Sequence, residues 1–336
     1  MRPLLPRCVA AALAAVSALV LTAAPAAADP PRPTDYRSTI TGVTPATPAV
    51  EASVVGGDAF LELRVAPGHE ATVTGYDDEP YLRFADDGTV WENRNSPATY
   101  TNATRYGDAE VPAGVDPDAE PEWRRVADDG AYAWHDHRIH WMSPQTPGVA
   151  RGDDIQSWNV ELLVDGEPVT IDGVLRYEPG VGWWPWVAAL GVLAVAGAVW
   201  LAGRRWTHTT AARAAGGVGC LVAVVVAGAE QLAIPEEAGR SVLRFGVPAI
   251  GLVCAVVAVA LRRRPRWAVP AGLASIAAVA GWAVRRLDVF TKPVLPTTLA
   301  PNLDRVGTAL ALGLAVGAIA LALTSDVRDR GAAARR

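Results

Sequence analysis

From Gly182 onward the composition turns abruptly to Ala, Val, Leu and Gly, and five apolar segments follow at about 183–202, 214–234, 243–261, 267–284 and 306–324. Each is close to the ~20 residues that a helix needs to cross a hydrocarbon core of ~30 Å. Inside lipid a segment must satisfy its own backbone hydrogen bonds, so the pattern predicts an α-helical transmembrane bundle of five helices over 182–325. The bundle would be followed by a basic cytoplasmic tail at 326–336. The small residues that fill the segments favour close helix packing. Cys220 and Cys254 lie within them, where a thiol behaves as a small hydrophobe.

The other end of the 336-residue chain fixes a direction. Residues 1–28 combine Arg2 and Arg7, an apolar run from Val9 to about Ala24, and an Ala-rich end, which together read as a secretory signal peptide. Cys8 precedes the apolar run, so no lipoprotein signal is indicated. If residues 29–181 are exported, the first helix runs from outside to inside. The inner connections then carry Arg204, Arg205, Arg213, Arg262, Arg263, Arg264, Arg266, Arg328, Arg330, Arg335 and Arg336. The outer ones carry Arg240, Arg244, Arg285, Arg286, Lys292 and Arg305. The larger inner set agrees with the positive-inside rule, giving a multi-pass cell-membrane protein with its N-terminus outside and its C-terminus cytoplasmic. Arg285-Arg286 runs against that trend. Trp183, Trp184 and Trp186 open the first span and fit an aromatic belt at the outer interface.

Residues 29–181 contain no Cys and are rich in Asp, Glu, Pro, Gly and Thr. A domain of this size buries a core without disulfides. Its acidic excess argues against nucleic acid, which needs clustered Lys and Arg. Short alternating runs at 53–55, 60–65, 71–74, 81–84, 131–141, 160–164 and 169–177 are separated by Gly56-Gly57, Asp87-Gly88, Asp129-Gly130 and Asp165-Gly166. Many short strands at this spacing predict an all-β, immunoglobulin-like antiparallel sandwich as the extracytoplasmic domain. Asp165-Gly166 is the strongest hairpin signal. The polar interval 94–121 reads as one long loop, and Asn102-Ala103-Thr104 in it matches a glycosylation sequon.

The candidate site is Trp134-His135-Asp136-His137-Arg138-Ile139-His140-Trp141-Met142, which holds three of the five histidines and the sole methionine besides Met1. As a continuous strand it would place His135 and His137 on one face, and Asp136, His140 and Met142 on the other. A histidine pair at i and i+2 chelates a metal if a neighbouring strand adds a ligand. Imidazole suits Zn(II) or Cu(II), and a thioether favours copper. His135, His137, His140 and Met142 are thus the candidate metal residues, all four meeting only if the strand is bulged, with His69 as a distant further ligand. The alternative is a structural network in which Asp136 pairs with Arg138 or orients a histidine and the tryptophans pack. Gly-x-Ser-x-Gly, Walker, HExxH and Rossmann patterns are missing from the sequence, so no catalytic residues are assigned and no enzyme is expected.

The residues Tyr81 to Val90, Asn93 to Tyr100 and Trp134 to Met142, between a signal peptide and a helical bundle, resemble uncharacterised envelope membrane proteins of high-GC Gram-positive bacteria. More distantly, the architecture is similar to the CopC–CopD copper proteins. It departs from them in two respects. Cleavage here leaves Ala or Asp29 instead of a ligand histidine at the mature N-terminus, and the spans carry neither His nor Met. The expected role is a binding or envelope-assembly module with the lipid bilayer and an envelope protein as partners. The alternative is a copper- or zinc-binding protein of metal homeostasis using His135 and His137. A further expectation is that the outer rim docks the exported domain, through Glu230, Glu236, Glu237, Arg240, Arg244, Arg285, Arg286, Asp288 and the Pro-rich loop 293–301.

Overall fold

The computed structural model describes residues 30–205, 207–235 and 242–333. The signal peptide at 1–28 and the rim residues Glu236, Glu237 and Arg240 lie outside them. The described chain begins as an antiparallel β-rich domain and ends as apolar helices.

Ten strands form two sheets: β1 (Tyr36–Thr44), β2 (Val50–Val55), β3 (Phe60–Val65), β4 (Ala71–Thr74), β5 (Pro80–Phe84), β6 (Val90–Asn93), β7 (Trp123–Ala127), β8 (Ala131–Trp134), β9 (Asp154–Val164) and β10 (Glu167–Tyr177). The larger sheet runs β1-β10-β9-β4-β5-β6-β7 and the smaller β2-β3-β8. Strands β9 and β10 alternate most regularly. Trp158, Val160, Leu162 and Val164 point inward on one strand, and Val169, Ile171, Leu175 and Tyr177 on the other. These meet Leu61, Leu63 and Val65 of the smaller sheet in one shared core. The β9–β10 turn takes positive φ at both Asp165 (51°) and Gly166 (83°), the backbone twist that a two-residue hairpin demands.

Within that hairpin Gly173 faces Trp158 across the ladder. A Cβ at Gly173 would stand 2.0 Å from Trp158 Cζ2, so the indole lies directly on the glycine backbone. Gly173→Ala should therefore cost about 1–3 kcal/mol of domain stability through overpacking. Thermal unfolding followed by tryptophan fluorescence measures it, and an unchanged midpoint would mean the ring has room to shift.

The interval 94–121 is not one free loop. It contains the short helix α1 (Ala98–Thr101) and returns as β7 beside β6. Asn102 is buried and its Oδ1 accepts from Tyr76 Oη at 2.6 Å, so the sequon asparagine is an internal fastener.

Five apolar helices follow: α2 (Trp184–Arg205), α3 (His208–Leu232), α4 (Val242–Ala260), α5 (Pro265–Val284) and α6 (Pro301–Ala333). Four of these contain runs long and apolar enough to cross a membrane, namely Trp184–Arg205, His208–Leu232, Pro265–Val284 and Pro301–Thr324. The fifth predicted span corresponds to α4, whose apolar run Arg244–Ala260 is shorter and interrupted by Pro248. The chain is thus a membrane protein with a β-rich domain. Helix α3 starts six residues before the predicted segment, capped by Thr207 Oγ1, which accepts from Thr210 N. Helix α6 continues through Ala333, so much of the segment assigned to a tail is helical.

The domain meets the helices through their connecting loops, as the 293–301 expectation has it. Thr34 and Val294 exchange two backbone hydrogen bonds (3.0 and 3.2 Å), Lys292 Nζ pairs with Asp35, and Arg244 Nη1 donates to Pro31 O at 3.1 Å. Ile234, just beyond α3, packs with Ala59, Phe60 and Ala133. Arg305 braces the docking loop by donating to Val289 O, Lys292 O and Pro293 O. Arg286 shares a cavity with Arg32 of the domain, but its ion pairs are made among the helices. It is buried between Glu230 Oε2 (2.5 Å) and Asp304 Oδ1 (2.6 Å), and Arg244 also reaches Glu230.

Candidate functional site

The strand predicted over 131–141 stops at Trp134. Asp136 ends it: its carboxylate accepts from Arg138 N at 3.0 Å, capping a 3-10 turn over His137–Ile139. Strand alternation therefore fails beyond Trp134, and His135 and His137 are not a same-face pair. The turn instead curls the three histidines toward one another. His140 lies 5.6 Å from His135 and 6.1 Å from His137 between ring centroids.

Each histidine has a distinct setting. His135 is buried, stacks on Phe60 at 4.1 Å, and its Nδ1 contacts Ala59 O at 2.6 Å. The His137 ring contacts Thr104 O through Nε2 at 3.0 Å, and its backbone N donates to Tyr76 Oη at 2.9 Å. His140 is 1 % exposed, and neither of its ring nitrogens has a hydrogen-bond partner among the described residues. Its nearest charge is the Asp58 carboxylate, 3.9 Å away, too far for a hydrogen bond. Asp58 is itself buried and held by Arg105 Nη2 at 2.5 Å, leaving its Oδ1 without a partner among the described residues. His69 is elsewhere, bonded to Asp165 at the β9–β10 turn.

The rest of the nonapeptide is a network. Asp136 accepts from Trp134 Nε1 (2.9 Å), Arg138 Nε (2.8 Å) and Arg138 Nη2 (2.7 Å). Ile139 enters the core and Arg138 stacks over Tyr76 at 5.2 Å. Met142 is 37 % exposed and lines an adjoining cleft together with His135. Among the described residues no three His, Cys, Asp or Glu side chains stand close enough together to hold a metal ion.

That cleft, of about 710 Å³, runs between the leading segment 30–36 and residues 135–144. His135, Arg105, Tyr106, Trp141 and Met142 form one wall, and Arg32, Asp35 and Lys292 the other. Its second wall includes the residues that tie the domain to the helices, so the cleft sits at the domain–membrane junction. Asp58, Arg105 and Tyr76 complete this region without having been singled out from sequence. Gly56-Gly57 marked the turn, but nothing in the linear pattern aims Asp58 at His140.

Burial holds the His140 imidazole below its ordinary value, and Arg105 and His137 push the same way against Asp58. Burial also works against the Asp58 and Asp136 carboxylates, but the contacts of Asp58 with His140 and Arg105, and of Asp136 with Arg138, win and hold both below theirs. Below a pH of about 6.5 the unfolded chain protonates its histidines while native His140 resists, so the unfolded state binds more protons and stability falls with acidification. The two aspartates add a second loss below about pH 4. The unfolding midpoint should therefore drop between pH 7 and 5, and His140→Asn should flatten that limb. An equal slope in the variant would show that His140 is not its source.

No protein-family model, curated protein or solved structure matches the chain.

Proposed function

We propose that this chain is a multi-pass protein of the cell membrane, N-terminus outside and C-terminus cytoplasmic. It displays an immunoglobulin-like β-sandwich as a binding or envelope-assembly module without catalysis of its own. The junction cleft carries the reading. It combines cationic Arg32, Arg105 and Lys292 with an aromatic and thioether rim of Tyr106, Trp141 and Met142, and Tyr106 is 62 % exposed. Aromatic and arginine side chains converging on a concave surface are the usual anchors of recognition. The sandwich reading draws on the shared core of the two antiparallel sheets. The orientation draws on the inner excess of basic residues, and the envelope setting on the sequence resemblance.

Two measurements test this. A membrane-impermeant maleimide should label Ser143→Cys in intact cells and Arg205→Cys only after permeabilisation; the opposite pattern would reverse the orientation. A photo-crosslinking amino acid at Tyr106 should give a defined adduct in living cells that is missing when it replaces Glu161 on β9. Equal or no crosslinking at the two positions would remove the cleft as a binding surface.

The second reading, a copper- or zinc-binding protein, is favoured by one observation: the bond-free His140 ring lies between His135 and His137, both of which rest a ring nitrogen on a backbone carbonyl. Metal-ligating histidines are oriented in this way. Titration of the full chain with Cu(II), Cu(I) and Zn(II) decides it: micromolar or tighter binding lost in His140→Ala and His137→Ala supports a site, and no binding removes it.

A further inference from the structure

Arg285-Arg286 breaks the charge pattern of the chain, and the structure gives its two members opposite surroundings. Arg286 is buried and neutralised by Glu230 and Asp304. Arg285 is exposed and, like Arg32, has no hydrogen bond or ion pair among the described residues. These two guanidinium groups, unpaired among the described residues, come from distant parts of the chain, one on the leading segment of the β-domain and one at the end of α5. Both line a single cavity of about 360 Å³, together with Arg244, Arg286, Trp282 and Asp288. An exposed arginine at a helix end is ordinarily a snorkelling side chain. That account does not cover Arg32, which is on no helix and is brought here by the docking contacts of Pro31, Thr34 and Asp35.

The charge balance selects the ligand. Glu230 and Asp304 are engaged by Arg286 and Arg244, so Arg32 and Arg285 are opposed at the mouth by Asp288 alone among the described lining residues. An arginine fork fits phosphate oxygens in pairs. Next in sequence to the lining residues Arg285, Asp288 and Arg244, the residues Val284, Leu287 and Phe245 expose apolar side chains, as a surface against acyl chains does. We propose that this cavity binds phosphate, carried on the headgroup of an anionic phospholipid or present as free phosphate, with Arg32 and Arg285 as its ligands. The apolar flank favours the lipid.

The test uses the full chain in nanodiscs of phosphatidylcholine doped with phosphatidylglycerol, with bound lipid measured by mass spectrometry after extraction. The wild-type chain should retain phosphatidylglycerol about tenfold over the Arg32→Gln/Arg285→Gln double variant, the change expected for losing a charge-assisted hydrogen bond. A second arm titrates inorganic phosphate into the chain in pure phosphatidylcholine nanodiscs. Phosphate binding lost in the double variant, without phosphatidylglycerol enrichment, assigns the site to the free anion. The proposal is overturned if neither probe distinguishes the wild-type chain from the double variant, or if Arg83→Gln on β5 produces as large a loss. Both altered residues are exposed, so matching thermal unfolding of the variant and wild-type chains establishes that folding is intact.

Discussion

Arg286→Met is expected to cost the full chain about 3–5 kcal/mol, the penalty for leaving a buried charge without its partner. The guanidinium of Arg286 answers two carboxylates at once, Glu230 from α3 and Asp304 from α6, and rests over Trp282 at 5.1 Å. Three helices are thereby pinned at a single point. Removing the cation leaves like charges facing each other where water is scarce, with Arg244 as the remaining cation on Glu230 alone. Asp304 Oδ2 already lacks a partner among the described residues, so none of them on that side takes up the lost bond. Thermal unfolding in detergent micelles, followed by circular dichroism, should show the fall directly. The triple variant Arg286→Met, Glu230→Gln, Asp304→Asn should recover most of it, because replacing a whole buried ion cluster is often near neutral. A single variant that melts with the wild-type chain would show that the carboxylates reach water and that the cluster is a rim feature after all. Arg244 joins Glu230 to Pro31 O, so the same substitution should also loosen the docked segment 30–35 to protease.

The contrast between this cluster and the spans shows what is legible along a chain. Apolar length is a one-dimensional property, and the spans can be read because bilayer thickness sets their length. The pairing of Arg286, two residues past α5, with Glu230 of α3 and Asp304 of α6 ties three parts of the bundle, and linear position marks them only as residues near helix ends. In the β-domain, Asp165-Gly166 was readable because two positive φ values are a local demand. Strands β1, β6 and β7 were not, because they carry few inward apolar residues: β7 buries no side chain fully, and β1 buries only Ser38. The nonapeptide failed for a different reason. Its alternation fits a strand as well as any run in the chain, yet a single side chain, Asp136, captures the backbone N–H two residues on and turns it. Competition between a local side-chain bond and a ladder is decided by tertiary partners that no period reports, here Tyr76 Oη, which accepts from His137 N, and Thr74 O, which accepts from Arg138.

Asp136→Ala is therefore expected to be the most damaging single change in the β-domain, again about 3–5 kcal/mol. The carboxylate is fully buried and accepts four hydrogen bonds, one from the Trp134 indole and three from Arg138. Truncation strands a mostly buried guanidinium and a buried indole N–H, each carrying the desolvation penalty of an unmet donor. It also frees the turn that places Ile139 in the core and His140 beside Asp58. Asp136→Asn keeps the shape and one acceptor oxygen but loses the charge, so it should fall between the wild-type chain and the alanine variant. His137→Ala should cost less than either, because His137 is only partly buried and its ring makes a single hydrogen bond, to the Thr104 carbonyl, besides stacking on Tyr76. This ordering separates the two accounts of the nonapeptide. A structural hub puts the largest loss of melting temperature at Asp136, whereas a ligand cluster puts the larger loss at the histidines, and only when metal is present. Melting the three variants with and without a chelator resolves them. An Asp136→Ala chain that melts with the wild type would mean that water replaces all four bonds, and the hub account would have to be abandoned.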